Sequence, residues 1–175
     1  MNHLKANPVG IDKVIDRIQK LVHDPLLASW GSLDVYGRVY RLKDNGNVHF
    51  KLYKGNGEYE PLLFSEGNKI FFVQGDNTVA EGGRETNDLF MVCNVKLDGV
   101  LERNDEEVHS EVVDLIVSKY LKEYKGCRHG MNELKKLLEN EVQGNFKFGD
   151  IHPYHVFIVK LSVKYYLINS DPCDC

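Results

Sequence analysis

The stretch Tyr154-His-Val-Phe-Ile-Val-Lys-Leu-Ser-Val-Lys-Tyr-Tyr-Leu167 decides the fold. It is rich in β-branched and aromatic residues, and it alternates. Phe157, Val159, Leu161, Val163, Tyr165 and Leu167 fall on one face, with Lys160, Ser162 and Lys164 opposite. A strand of this kind needs a ladder to pair with and a dry surface under one face. It comes after two helix-patterned segments, so it must return to a sheet laid down earlier in the chain. That requirement makes one α+β domain over residues 1–168, with a polar tail at 169–175. The expected architecture is a mainly antiparallel, twisted sheet carrying an N-terminal helix and a helix pair.

Immediately upstream, Asn104-Asp-Glu-Glu107 supplies a cap and three acids to a first helical turn, where exposed N–H groups favour negative charge. Val108, Val112, Leu115, Ile116 and Tyr120 form its apolar stripe. Gly126 breaks it, a shorter helix is expected over Met131–Leu138, and Gly144–Gly149 reads as a loop.

The earlier sheet is legible in pieces. Leu33–Leu42 alternates, with Tyr36 and Tyr40 on one face and Val35 and Val39 on the other, which predicts a strand covered on both sides. Asp44-Asn-Gly46 and Gly55-Asn-Gly57 are hairpin turns around a strand over Val48–Tyr53, and Pro61 restricts the next segment to an edge or loop. Lys69–Gln74 and Asn87–Asp98 are the next strands. In the second, Leu89, Met91, Cys93, Val95 and Leu97 point inward and Asn94, Lys96 and Asp98 outward. Gly75–Thr86, poor in apolar residues, is expected to be a long loop.

At the N-terminus, apolar residues at 11, 14, 15, 18, 21 and 22 give helical spacing over Pro8–Ala28, with Asp12, Lys13, Asp16, Arg17 and Lys20 on a wet face. Asp24-Pro25 should end or kink that helix, and Gly31 closes it. Trp30 reads as a core plug.

Composition narrows the function. With 42% apolar and 27% charged residues the chain belongs with folded globular proteins. A net charge of −4 argues against a dedicated nucleic-acid binder, although an acidic passage would let DNA slide without trapping it. No apolar run suffices to cross a bilayer, and Met1–Pro8 lacks the apolar core of a signal peptide, so an intracellular origin is expected. The four cysteines form no disulfide framework. The Cys173-Asp-Cys175 end lacks the paired spacing of a metal site.

The candidate chemistry is thin. Asp105, Glu106 and Glu107 are helix neighbours pointing different ways, better explained by the helix dipole than by a shared cation. His152 and His155 differ in strand parity and lack a His-Glu-x-x-His setting. Cys127, in Lys-Gly-Cys-Arg-His, has basic neighbours that would lower a thiol pKa. The Gly-rich stretches at 55–57 and 82–83 are turns rather than phosphate loops, and no serine sits in a nucleophile elbow.

Three segments together carry a resemblance: Gly10–Gln19 leading into Trp30–Tyr40; Ile70–Asp76 with Leu89–Leu97 and Arg103–Val108; and Ile151–Phe157 with its long final strand. In pattern and element order they resemble the head–tail connector, or tail-completion, proteins of tailed bacteriophages, and most of all the neck-ring proteins of crAss-like phages of Bacteroidetes.

The resemblance implies a tail-terminator-like subunit, a structural virion protein with neither active site nor cofactor. It assembles with itself as a ring between portal and adjacent neck or tail proteins, around the channel through which DNA passes. A ring subunit needs two non-equivalent side surfaces. The expected loop at 75–86 would supply one, through Asp76, Asn77, Thr78 and Arg84. Two other readings stand beside it: a small metal- or thiol-dependent enzyme using His152, His155 or Cys127, and a host-directed binding module.

Overall fold

Alternation in the closing stretch asks for a long ladder, and the fold provides one. The computed structural model describes residues 1–44, 47–63, 66–100, 103–120 and 153–166. Its elements are α1 (Ile11–Trp30), β1 (Asp34–Arg38), β2 (Tyr40–Asp44), β3 (Asn47–Gly55), β4 (Glu58–Glu60), β5 (Lys69–Glu81), β6 (Arg84–Lys96), α2 (Asp105–Tyr120) and β7 (Tyr154–Tyr166), with a short 3₁₀ turn at Leu97–Gly99. β7 pairs antiparallel with β6 along its whole length, from Tyr154 opposite Lys96 to Tyr166 opposite Arg84. The last strand therefore does return across α2 to the earlier sheet, in a single mixed α+β domain.

Two sheets result. The larger has the order β1-β5-β6-β7, antiparallel except where β1 runs parallel to β5, and the smaller is β2-β3-β4. The alternation of each long strand sends side chains into two cores. Leu89, Met91, Cys93 and Val95 of β6 and Phe157, Val159, Leu161 and Val163 of β7 meet the apolar faces of α1 and α2. On the other face Tyr36, Phe71, Val73, Phe90, Val92 and Ile158 meet Leu52 and Leu62 of the smaller sheet's side. The larger sheet is thus the middle of three layers, which explains why Val35 and Tyr36, adjacent in sequence, are both buried.

Several expectations need correction. α1 does not stop at Pro25 but runs through it to Trp30, starting after Gly10 rather than at Pro8. An internal proline costs a helix about 3 kcal/mol. Beyond it Leu26 and Trp30 are essentially inaccessible to solvent, and burying two such side chains contributes about 3–6 kcal/mol. The packing wins. Gly31, at φ 72°, then closes the helix with its N–H on the Leu27 carbonyl.

Leu33–Leu42 is not one strand. The chain leaves the larger sheet at Arg38 and joins the smaller one at Tyr40, so Tyr36 and Tyr40 belong to different ladders. The expected loop at 75–86 is strand. β5 and β6 run to Glu81 and Arg84 and join through Gly82-Gly83, whose φ angles of 57° and 77° suit a two-residue hairpin turn. An irregularity hid this from periodicity: between the pairs Gln74–Leu89 and Thr78–Asn87, three residues of β5 (75–77) oppose one of β6 (Asp88).

Asn94, expected outward, is fully buried. Its face of β6 is covered by the smaller sheet's layer. The Asn104–Glu107 cap forms as a reciprocal box: the Asn104 N–H donates to Glu107 Oε2 and the Glu107 N–H to Asn104 Oδ1, both at 2.9 Å. The helix expected at 131–138, the loop at 144–149 and the tail lie outside the described residues.

Candidate functional site

Where the chain crosses between the sheets, a groove opens. The N-terminal segment His3–Ala6, the first turns of α1, the crossing Gly37–Arg41, the end of β3 and Val73–Gly75 enclose about 780 Å³. Sequence dictates the opening twice. Gly37 and Gly75 put no side chain into it. Gly75 also cannot carry one, because a Cβ there would lie 2.9 Å from Phe90 Cε2 and 3.2 Å from the Asp88 carbonyl oxygen.

A polar chain starts in the groove, at Asp12, Arg38 and Gln74, and continues beyond it. Asp12, in the first turn of α1 and buried, accepts at Oδ2 from Lys5 Nζ at 2.6 Å and Arg38 Nη2 at 3.3 Å. Arg38 Nη1 donates to Gln74 Oε1 at 2.6 Å, and Gln74 Nε2 to Asn87 Oδ1 at 3.3 Å. Asn87 Nδ2 donates to the Tyr165 hydroxyl at 2.6 Å, and that hydroxyl donates to Glu85 Oε2 at 2.5 Å. Burial and the bond to Glu85 push the Tyr165 phenol up to about 12, so it stays a donor at any physiological pH.

The N-terminal segment is tied down beside the groove. Gln19, itself buried, donates from Nε2 to the carbonyls of His3 and Val35, each at 3.2 Å. The His3 ring stacks on Tyr36 with centroids 4.3 Å apart, and its Nε2 lies 3.1 Å from Asp34 Oδ1. Burial by itself would raise the Asp34 pKa, but hydrogen bonds from the N-terminal ammonium and His3 outweigh it and hold the carboxyl below its ordinary value. Opposite, Tyr40, Tyr53 and Tyr59 cluster with centroids 5.2–6.1 Å apart, Tyr40 and Tyr59 being exposed.

A second feature is the β5–β6 tip. Val79 is 64% exposed, and the Arg84 guanidinium lies over the Tyr166 ring, 4.8 Å from its centroid. Of the interface residues expected from sequence, Asp76, Asn77 and Thr78 therefore lie within strand β5, with Thr78 opposite Asn87, and Arg84 opens β6 opposite Glu81. They share one hairpin rather than a loop.

The other candidates disperse. His155 is in β7, its ring 5.2 Å from Phe157. Asp105 and Glu106 are exposed on the first turn of α2, and Glu107 is used in its cap. Cys93 is buried, which raises its thiol pKa. His152, Cys127, Cys173 and Cys175 lie outside the described residues. Among the described residues, no three His, Cys, Asp or Glu side chains gather as metal ligands, and no helix is long and apolar enough to cross a membrane.

Sequence reasoning missed the Asp12–Arg38–Gln74 chain. Its members are spread over three elements and carry no spacing signal. Asp12, expected on the wet face of α1, is instead buried, and its only signal was the flanking apolar positions 11, 14 and 15.

No protein-family model, curated protein or solved structure matches this chain.

Proposed function

We propose that this chain is a structural subunit of a tailed-phage neck, forming a homo-oligomeric ring between portal and tail around the DNA exit channel. The resemblance in element order supports this reading, and so does the return of β7 to the sheet on which it depends. The observation that carries it is the β5–β6 hairpin. Its tip continues past both hydrophobic cores, presents exposed Val79 and is braced by the end of β7. An ordered arm with an apolar point suits a head-to-tail contact that closes on itself. Joined by backbone hydrogen bonds to its own sheet, it reaches a neighbour with less ordering entropy to lose than a loop.

Mass photometry on the purified chain, alone and with its portal, tests the reading. The expected result is a closed ring, free or seated on the portal, that Val79→Asp with Arg84→Glu converts to folded monomer. A wild-type chain that stays monomeric under both conditions would refute it, as would a double variant that still forms rings.

A further inference from the structure

The groove at the sheet crossing has a charge opposite to that of the chain. Lys5, Arg38 and Arg41 line it against Asp12, the single carboxylate among its described lining residues, with Lys54 also in the lining but paired to Glu60, in a protein whose formal net charge is −4. Cations gathered in a concavity focus the field there and draw anions in.

Two of them are also preorganised. Arg38 is held by Gln74 on one amino group and Asp12 on the other, so little side-chain freedom remains to be lost when an anion docks. Asp12 divides one oxygen between Lys5 and Arg38, which leaves that end of the groove net positive. A planar guanidinium beside an ammonium suits phosphoryl oxygens. Phe50, Tyr40 and Tyr53 are also in the lining, and aromatic side chains are favourable surfaces for a flat heterocycle. At about 780 Å³ the space lies within the roughly 300–1,000 Å³ typical of small-ligand sites.

We infer that this groove binds a phosphorylated nucleoside, its phosphates at Lys5, Arg38 and Arg41 and its base against the aromatic side chains. None of the lining residues belongs to the hairpin tip at 79–85, so the inference stands apart from the ring reading.

Isothermal titration of the full chain at low salt with ADP, AMP, inorganic phosphate and adenosine tests it. ADP should bind saturably at one site, and adenosine and phosphate should each bind about tenfold or more weakly. Arg41→Gln, at an exposed position, should weaken ADP by about fivefold or more in a protein that still unfolds cooperatively. Lys5→Gln provides a second, independent variant, and Lys119→Gln on α2 should leave binding unchanged. Lack of saturable ADP binding would overturn the inference. So would phosphate or adenosine binding as tightly as ADP, or ADP binding indifferent to both groove variants.

Discussion

The Lys69 ammonium on β5 donates to Glu60 Oε1 on β4, joining the larger sheet to the edge of the smaller through two side chains only 3% and 18% exposed. The Tyr36 hydroxyl donates to the same oxygen at 2.5 Å, and Lys54 reaches Oε2 at 3.3 Å. One carboxylate thus ties β1, β3 and β5 to β4. Removing one partner of a buried pair strands the other charge, which typically costs about 3 kcal/mol or more. Glu60→Gln should therefore lower the stability measured in urea by about that amount, while the double change Glu60→Leu with Lys69→Met recovers most of it. A single variant as stable as wild type would contradict the role given to this pair.

Acid should weaken the same junction. Burial alone would raise the Glu60 pKa, but hydrogen bonds from Lys69 and Tyr36 overcome that effect and hold it below the ordinary 4.5. A carboxyl whose folded pKa is depressed adds stability above its unfolded value and loses it as pH falls through the folded one. Asp34, held below 3.8, acts in the same direction. Melting temperature should accordingly drop as pH goes below about 4.5, and the drop should be shallower in Glu60→Gln. Parallel curves for the two proteins would show that Glu60 contributes nothing to the acid limb.

Gly75 tests how tightly the sheet closes under the groove. A methyl group there meets Phe90 Cε2, a ring atom that can swing, but also the Asp88 backbone oxygen, which cannot. Gly75→Ala should cost about 1–3 kcal/mol through overpacking. Adding Phe90→Leu should return part of that loss in thermal unfolding. If Gly75→Ala melts with wild type, the close approach of the strands is not a constraint.

Asn94 is a buried amide with neither Nδ2 nor Oδ1 hydrogen-bonded among the described residues. Its cross-strand neighbours are Lys69 and Val156. An unsatisfied buried polar group costs about 1–3 kcal/mol, and an apolar replacement of similar size escapes that cost. Asn94→Val should raise stability by about 1 kcal/mol in chemical denaturation. A loss of stability would mean that the amide has a partner under solution conditions.

The α2 cap is the most local test. Asn104→Ala removes the acceptor for the Glu107 N–H and should cost about 1 kcal/mol, measurable by calorimetry. Asn104→Asp should keep nearly all of the stability, because it preserves the acceptor and adds charge at the positive end of the helix. Equal melting of all three proteins would indicate that water satisfies the end of α2 equally well.

Several local, periodic signals were enough by themselves, although the alternation of Leu33–Leu42 was not, since it spans strands of two sheets. The alternation of Phe157–Val163, the apolar spacing of Ile11–Val22 and of Val108–Ile116, the Asn104–Glu107 box and the Gly55-Asn-Gly57 turn are each written within a few residues, because geometry repeats every two or 3.6 positions. The direction in which the final strand had to travel came from the same pattern, since its apolar face had to be covered.

Tertiary structure decided everything that depended on which surface lay opposite. Pro25 stays helical because Leu26 and Trp30 find the core, and Asn94 is dry because a second sheet covers its face. Strand β5 resumes after the polar, irregular stretch at 75–77 because Thr78–Glu81 finds β6 laddered beside it and β7 beyond. The carboxylates at 12 and 60 found their cations from segments 26 and 9 residues away, Arg38 and Lys69. Charge pairing of that kind leaves no mark on the order of residues, because it depends on distance in space, and only the packed sheets bring those side chains within reach.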